Sequence, residues 1–420
     1  MDLKKLLERF ENCPCGRKHT FDLKTYVARE GLVNEVGEEL DKAGFPKKIY
    51  IVTDENELKA ADGIMQSLDK AGYKYELKVY PDLKYAYMDD SLEIADKLAD
   101  FEGLLSIGTG SCNDICRYGA YVANKPFAIF ATAPSMDGFA SDSAPLVKNN
   151  FKISYQCRQP SVVLADTNIL ARSPAELKAA GFGDIVAKYI GLVDWHLSNY
   201  ITGEYICENV ASLVQETVDK VVANTDKIQS EDPKAAESVL DALIITGCAM
   251  QLVHLSRPAS GAEHIVSHFW EIHKLEKGIW PDYHGKKVGI ATCLLVPIYK
   301  ELTKFEKADL IPENLKLDEV LKHYSANNRK EILNLNIPSI MDTVSCKAFE
   351  ENWENIKNDI NKYLPDTDKF IELMKKAGCA TTIEEGHISQ EFSDEAIKYS
   401  PYMRRRITLL RILPMIREKK

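Results

Sequence analysis

Two histidines raise the first question of chemistry. In SGAEHIVSHFW (260–270), His264 and His268 stand four apart with no glycine or proline after Gly261. At helical pitch they share one face. Such a pair can hold a metal or a substrate group. It can equally be the half-buried stripe of an amphipathic helix, and spacing leaves both open. SIGTGSCND (106–114) offers phosphate chemistry, with Gly108 and Gly110 ahead of Ser111, Cys112, Asn113 and Asp114. Small residues let backbone N–H groups approach a pyrophosphate, and a helix N-terminus adds partial positive charge; the alternative is an ordinary tight turn. Asp54 closes KKIYIVTD (47–54). A carboxylate there can accept from a ribose diol and repel a 2′-phosphate, or simply face solvent in a turn. CPCGRKH (13–19) presents Cys13, Cys15 and His19, a thin set for a second metal site. The plain alternative is an N-terminal segment packed near the first domain.

The elements that must position these residues alternate at first. Residues 47–54 read as a buried strand, 56–72 as a helix with a glycine stop, and 73–82 as a strand. A helix over 91–100 follows, then a strand over 103–111 running into the glycine turn, a helix over 113–124 and a strand over 126–133. That alternation predicts a parallel sheet with crossover helices. The run at 161–170 is the last strand expected. SPAELKAAG (173–181) then opens with a serine cap and a first-turn proline, and helical spacing dominates to the end. The expected fold is an α/β Rossmann-like domain over 1–170 and an all-α domain over 171–420, with a cleft between them as the default ligand site. The full G-x-G-x-x-G fingerprint is absent, and the glycine loop follows the third predicted strand rather than the first.

Composition narrows the classes. A chain of 420 residues is too long for one core. Its net charge of -10 argues against a nucleic-acid partner. The N-terminus lacks the apolar core of a secretory signal, and no apolar run is read as approaching a membrane span. Ten cysteines are scattered, several within apolar runs, which predicts free thiols in a reducing cytoplasm.

Five motifs occur in order: GTGSCND (108–114), ATAPSMDGFAS (131–141), VVLADTNIL followed by GFGD (181–184), SRPASGAEHIVSH (256–268) and YHGKKVG (283–289). Together they resemble the sn-glycerol-1-phosphate dehydrogenase family, within the wider group of iron-type alcohol dehydrogenases, glycerol dehydrogenases and dehydroquinate synthases. The resemblance implies that Asp184, His264 and His284 bind one divalent metal (zinc, nickel or iron) and carry catalysis. It implies that Asp137, Asp184 and His268 meet the substrate. Asp54 would read the adenine ribose. Gly108, Gly110, Ser111, Cys112, Asn113 and Asp114 would form the phosphate loop, and Thr132, Ala133, Pro134, Ser135 and Ser141 would line the nicotinamide half. NAD(H) is expected ahead of NADP(H), although Thr109 interrupts the glycine pair common in relatives. The chemistry is coherent: one carboxylate and two neutral imidazoles leave an open coordination position, as catalytic metals require. The implied reaction is reversible reduction of dihydroxyacetone phosphate to sn-glycerol 1-phosphate; the alternative is a dehydrogenase of glycerol or another unphosphorylated alcohol. Arg257, in a turn broken by Pro258 and Gly261, is the first candidate for the substrate phosphate, with Lys188, Lys286 and Lys287 as rivals. A homodimer or larger assembly is expected.

Overall fold

A computed structural model describes residues 1–148 and 151–419. The chain separates into two compact units, Met1–Ile185 with Asp219–Leu255, and Val186–Val218 with Ser256–Lys420.

In the first unit the strands are β1 Thr25–Arg29, β2 Lys48–Asp54, β3 Lys74–Tyr80, β4 Gly103–Gly108, β5 Phe127–Ala131, β6 Ser143–Lys148, β7 Phe151–Gln156 and β8 Val162–Asp166. Six form one sheet in the order β1-β8-β5-β4-β2-β3, with every pairing parallel. The inner strands are buried along nearly their whole length, as expected where helices cover both faces. On one face Ile49, Ile51, Ile107, Phe130 and Leu164 pack against Leu32, Val36 and Leu40. From β2 the chain passes outward to β3, then crosses back to place β4 on the other side of β2. The carboxyl ends of β2 and β4 therefore flank a topological switch point, the place where open α/β sheets bind ligands. Asp54 ends β2, and Gly108 ends β4.

Sequence periodicity had no signal for β1 or for the antiparallel pair β6 and β7. The contiguous 1–170 and 171–420 division also differs from the structure, because the first unit takes in Asp219–Leu255. Its Pro233–Val253 helix is tied there by polar contacts: Gln251 accepts from the Asp22 N–H at 2.7 Å and donates to its carboxylate at 2.9 Å. This helix corrects a second expectation. It is long and apolar enough to cross a membrane, yet most of its residues are buried inside the protein, as in the core helix of a large domain.

The second unit is mainly helical, with one short antiparallel pair, β9 Ala308–Leu310 and β10 Ile416–Glu418. Trp195, Phe269, Trp270 and Tyr299 are fully buried in it. Asp194, on the Lys188–Thr202 helix, joins three segments. It accepts from Ala262 N–H at 2.7 Å, Leu409 N–H at 2.7 Å and the Tyr299 hydroxyl at 3.0 Å. Burial pushes this carboxyl up to about 7, with the negative charge of Glu263 adding to the effect and the backbone donors opposing it. Asp194 satisfies an orphan N–H at the start of the Ala262–Glu276 helix and so fixes the base of the helix that carries the opening histidines.

Candidate active site

At the switch point the loop geometry explains the glycines. Gly108 has φ +152°, and a Cβ there would lie 2.0 Å from Glu57 Oε2. Glu57 sits on the Glu55–Ala60 helix after β2. Its Oε1 accepts from the Thr109 N–H at 2.7 Å, while Oε2 is buried with no hydrogen-bond partner. Burial and the neighbouring Asp54 charge push Glu57 up to about 8, against the pull of the Thr109 N–H. A carboxylate already seated on a loop amide, with one oxygen unsatisfied, marks a place where a polar ligand fits. Glu57 escaped the sequence reading, although it stands three residues beyond Asp54 on the same helix entry. Asp54 itself caps that helix, accepting from Glu57 N–H at 2.8 Å through Oδ1.

The remaining loop residues divide by role. Cys112, Asn113 and Asp114 turn their side chains inward. Asn113 accepts from Ser106 at 2.7 Å, Asp114 pairs with Arg117 at 3.0 Å, and Cys112 Sγ lies against Val52 O. These side chains brace the loop, so what this stretch offers an anion is the backbone N-terminus of the Gly110–Val122 helix. Ser111 bonds the Lys84 carbonyl at 3.1 Å. In the next loop the Ser135 hydroxyl meets Thr109 Oγ1 at 2.6 Å, which ties ATAPS to the phosphate loop. Thr132, Ala133 and Ser141 are buried there as well, and Ser141 Oγ accepts from Ser143 N–H at 3.1 Å.

Asp184 lies near the end of the Ala175–Val186 helix. It is fully buried, and its Oδ2 accepts from the Asp137 N–H at 2.8 Å. His264 is in the first turn of the Ala262–Glu276 helix, and His284 starts the His284–Leu302 helix. One ligand atom from each of Asp184, His264 and His284 falls within 4.8 Å of the others. His264 Nδ1 stands 2.6 Å from Glu263 Oε1. With Nδ1–H donating to that carboxylate, Nε2 carries the lone pair, which is the usual support for a metal-binding imidazole. Glu263 is itself fully buried and accepts from Gly261 N–H at 2.9 Å. This donor set fits a divalent ion with three protein ligands and an open position.

His268 stands outside that trio, with its ring 6.3 Å from His264 and 5.7 Å from His284. Its Nδ1 meets Glu271 at 3.1 Å, and Glu271 is held in turn by the buried Lys287 at 2.9 Å. The four-apart histidines thus occupy different environments on one helix face.

Comparisons with known proteins establish the family. Residues 27–174 match the family model for iron-containing alcohol dehydrogenases. The glycerol-1-phosphate dehydrogenase [NAD(P)+] of Geobacillus stearothermophilus is 29% identical over 421 aligned residues, covering 98% of this chain and 97% of that one. Its counterpart from Bacillus velezensis is 31% identical over 310 residues, covering 74% of this chain and 69% of that one. The chain belongs to the glycerol-1-phosphate dehydrogenase family. Among solved structures, the NADH-dependent butanol dehydrogenase A of Thermotoga maritima shares the fold, with a TM-score of 0.61 at 15% identity over 93% of this chain and 92% of that one.

Within a glycerol-1-phosphate dehydrogenase family member, Arg257 was the expected phosphate ligand, and the structure gives it another task. The guanidinium is only 3% exposed. Nε donates to Glu204 Oε1 at 2.9 Å, Nη1 to the Ile407 carbonyl at 2.8 Å, and Nη2 to Ser198 at 3.1 Å and to Glu204 Oε2. Its donors are engaged within the protein, and it braces the turn ahead of His264. The lysine rivals are also engaged: Lys286 pairs with Asp282 at 2.7 Å and Lys287 with Glu271, while Lys188 is fully buried.

Proposed function

We propose that the protein reduces dihydroxyacetone phosphate to sn-glycerol 1-phosphate, reversibly, using NADH ahead of NADPH. The observation that carries this reading is the convergence of Asp184, His264 and His284 in a chain of the glycerol-1-phosphate dehydrogenase family. When bound, a divalent ion (zinc, nickel or iron) supplies Lewis acidity at the carbonyl oxygen, and the nicotinamide supplies the hydride. Glu263 keeps His264 in the tautomer that presents Nε2. The Asp137 N–H holds the Asp184 carboxylate in place, and the Asp137 side chain is assigned to the substrate. His268, oriented by Nδ1–H donation to Glu271, directs Nε2 as an acceptor toward a substrate hydroxyl. Asp54 places a carboxylate by the proposed adenosine ribose, favouring a diol over a 2′-phosphate, and Glu57, raised to about 8, adds a hydrogen-bonding carboxyl group beside it. Backbone N–H groups at Gly110 and Ser111 meet the pyrophosphate.

The engagement of Arg257, Lys286 and Lys287 with carboxylates favours a second reading, a dehydrogenase of glycerol or another unphosphorylated alcohol. Cofactor oxidation measured with dihydroxyacetone phosphate and dihydroxyacetone in parallel separates the two. Efficient turnover of the phosphorylated ketone alone supports the first reading, and preference for the unphosphorylated one overturns it. Ten unbridged cysteines support a reducing cytoplasm as the place of action. A homodimer or larger assembly belongs to the same reading, and light scattering on the purified protein measures it.

A further inference from the structure

The CPCGRKH segment does more than pack. Cys13, Cys15, His19 and Cys207 each offer one ligand atom, and all four atoms lie within 4.8 Å of one another. Cys207 comes from a point 188 residues beyond His19 in the sequence and immediately precedes the Glu208–Val222 helix. Periodicity and local spacing cannot reveal such a partner. We propose that these four residues form a structural zinc site, separate from the Asp184, His264 and His284 trio.

Three features of the cluster carry the assignment. The first is the donor set, three thiols and one imidazole, which is a soft and complete tetrahedral shell for zinc. Zn–S bonds of ~2.3 Å and Zn–N bonds of ~2.0–2.1 Å give a tetrahedron with edges of roughly 3.5–3.8 Å, which the observed spread accommodates with small side-chain adjustments. The second is the orientation of His19. Its Nδ1 lies 2.7 Å from the Leu252 carbonyl. Nδ1 must carry the proton to donate there, so Nε2 presents its lone pair. That atom is 3.1 Å from Cys15 Sγ, and a backbone carbonyl in this role is what supports a metal-bound imidazole elsewhere. The third is the local backbone. Gly16 adopts φ +74°, and its N–H bonds the Cys13 carbonyl at 3.1 Å, so the chain turns tightly enough to aim Cys13 and Cys15 at one point. All four cysteine and histidine ligands are at least half-buried, with Cys207 fully so.

No position is left open for substrate, so the ion's role is structural. It ties the N-terminal segment to the start of the Glu208–Val222 helix and, through His19, to the end of the Pro233–Val253 helix. Each thiol releases its proton to solvent as its Zn–S bond forms, so loading is favoured by rising pH.

Cobalt provides the test, because thiolate ligation produces ligand-to-metal charge-transfer absorption that an Asp–His–His site cannot produce. The full chain is expressed and purified under reducing conditions, then stripped and reloaded with cobalt. The expected result is a thiolate–cobalt charge-transfer band with tetrahedral d–d transitions, retained in His264→Ala and lost in Cys207→Ser. Metal analysis of the zinc-loaded protein should give two equivalents, falling to one in either variant. If Cys207→Ser does not fold, zinc-edge X-ray absorption on the unaltered protein replaces it, with a sulfur shell at ~2.3 Å expected. Absence of sulfur ligation in the loaded protein overturns the proposal. So does a disulfide among these cysteines after reducing purification, or a charge-transfer band unchanged in Cys207→Ser.

Discussion

Replacing Arg257 with methionine distinguishes a brace from a substrate ligand. Methionine keeps much of the apolar stem volume while deleting the charge and its donors. The structure then leaves Glu204 without its bidentate partner and the Ile407 carbonyl without its donor. Breaking a buried ion pair from one side costs ~3–5 kcal/mol. Glu204 retains 26% side-chain exposure, so water recovers part of its solvation and the lower end, ~3 kcal/mol, is expected. Burial alone would raise the Glu204 carboxyl, but the Arg257 hydrogen bond and charge hold it below the usual glutamate value. A depressed folded-state value stabilises the protein above the unfolded pKa and loses that contribution as pH falls through the folded one. The deficit of Arg257→Met should therefore be full at pH 7 and shrink below about pH 4.5. Urea unfolding followed by tryptophan fluorescence measures it, since the buried Trp195 lies on the same helix as Ser198. Removing Glu204 as well, in Arg257→Met/Glu204→Leu, should recover part of the loss, because the stranded carboxylate is gone. Activity toward phosphorylated and unphosphorylated ketone should fall together. An unchanged urea midpoint with a selective loss of affinity for the phosphorylated ketone would refute the reasoning and return Arg257 to the phosphate.

Other expectations follow from the same geometry. His264→Ala and His284→Ala should each lose the catalytic metal and nearly all turnover while staying folded, as metal analysis and circular dichroism report; His268→Ala should keep the metal and lose substrate affinity or turnover. Asp54→Ser should narrow the preference for NADH over NADPH by ~1–3 kcal/mol in kcat/KM, on the scale of a hydrogen bond to a charged group, and an unchanged ratio would remove Asp54 from cofactor selection. The Glu57 carboxyl, raised to about 8, binds its proton more tightly in the folded than in the unfolded chain. Its contribution to stability is therefore present below about pH 4.5 and declines as pH rises toward 8, by at most ~1.4 kcal/mol per pH unit. Glu57→Gln should flatten that decline in urea titrations at pH 5, 6.5 and 8, and parallel slopes for both proteins would contradict the assigned burial.

The sequence was most informative where one local pattern set one local structure. Hydrophobic runs alternating with helical spacing identified β2 through β5 because buried parallel strands and their crossovers have distinct periods. The short edge strand Thr25–Arg29, largely half-exposed, had too little period to be seen. The β6 and β7 pair carries Pro145 and lies outside the main sheet. The division into units was misplaced because a helix far along the chain returns to the first unit through Gln251 and Asp22, a contact between residues 229 positions apart. The candidate metal-site residues became legible only through ordered motifs, since Asp184 alone resembles an ordinary polar residue near a helix end. Glu263, Asp194 and Glu57 were missed for a common reason. Each acts by holding another group in place, and that role depends on contacts with distant or neighbouring backbone that residue type does not disclose. Arg257 shows the converse: its position in a turn was read correctly, but Glu204 and Ile407 could not be seen to converge on it.

The most direct test is cofactor oxidation by the purified protein with dihydroxyacetone phosphate, before chelation, after chelation and after restoring zinc, nickel or iron. The account predicts turnover that disappears with the metal, returns with a divalent ion, and cannot be restored in His264→Ala or His284→Ala. Full turnover in metal-free protein, or undiminished metal-dependent turnover in those variants, would contradict the assignment of Asp184, His264 and His284 as the catalytic centre.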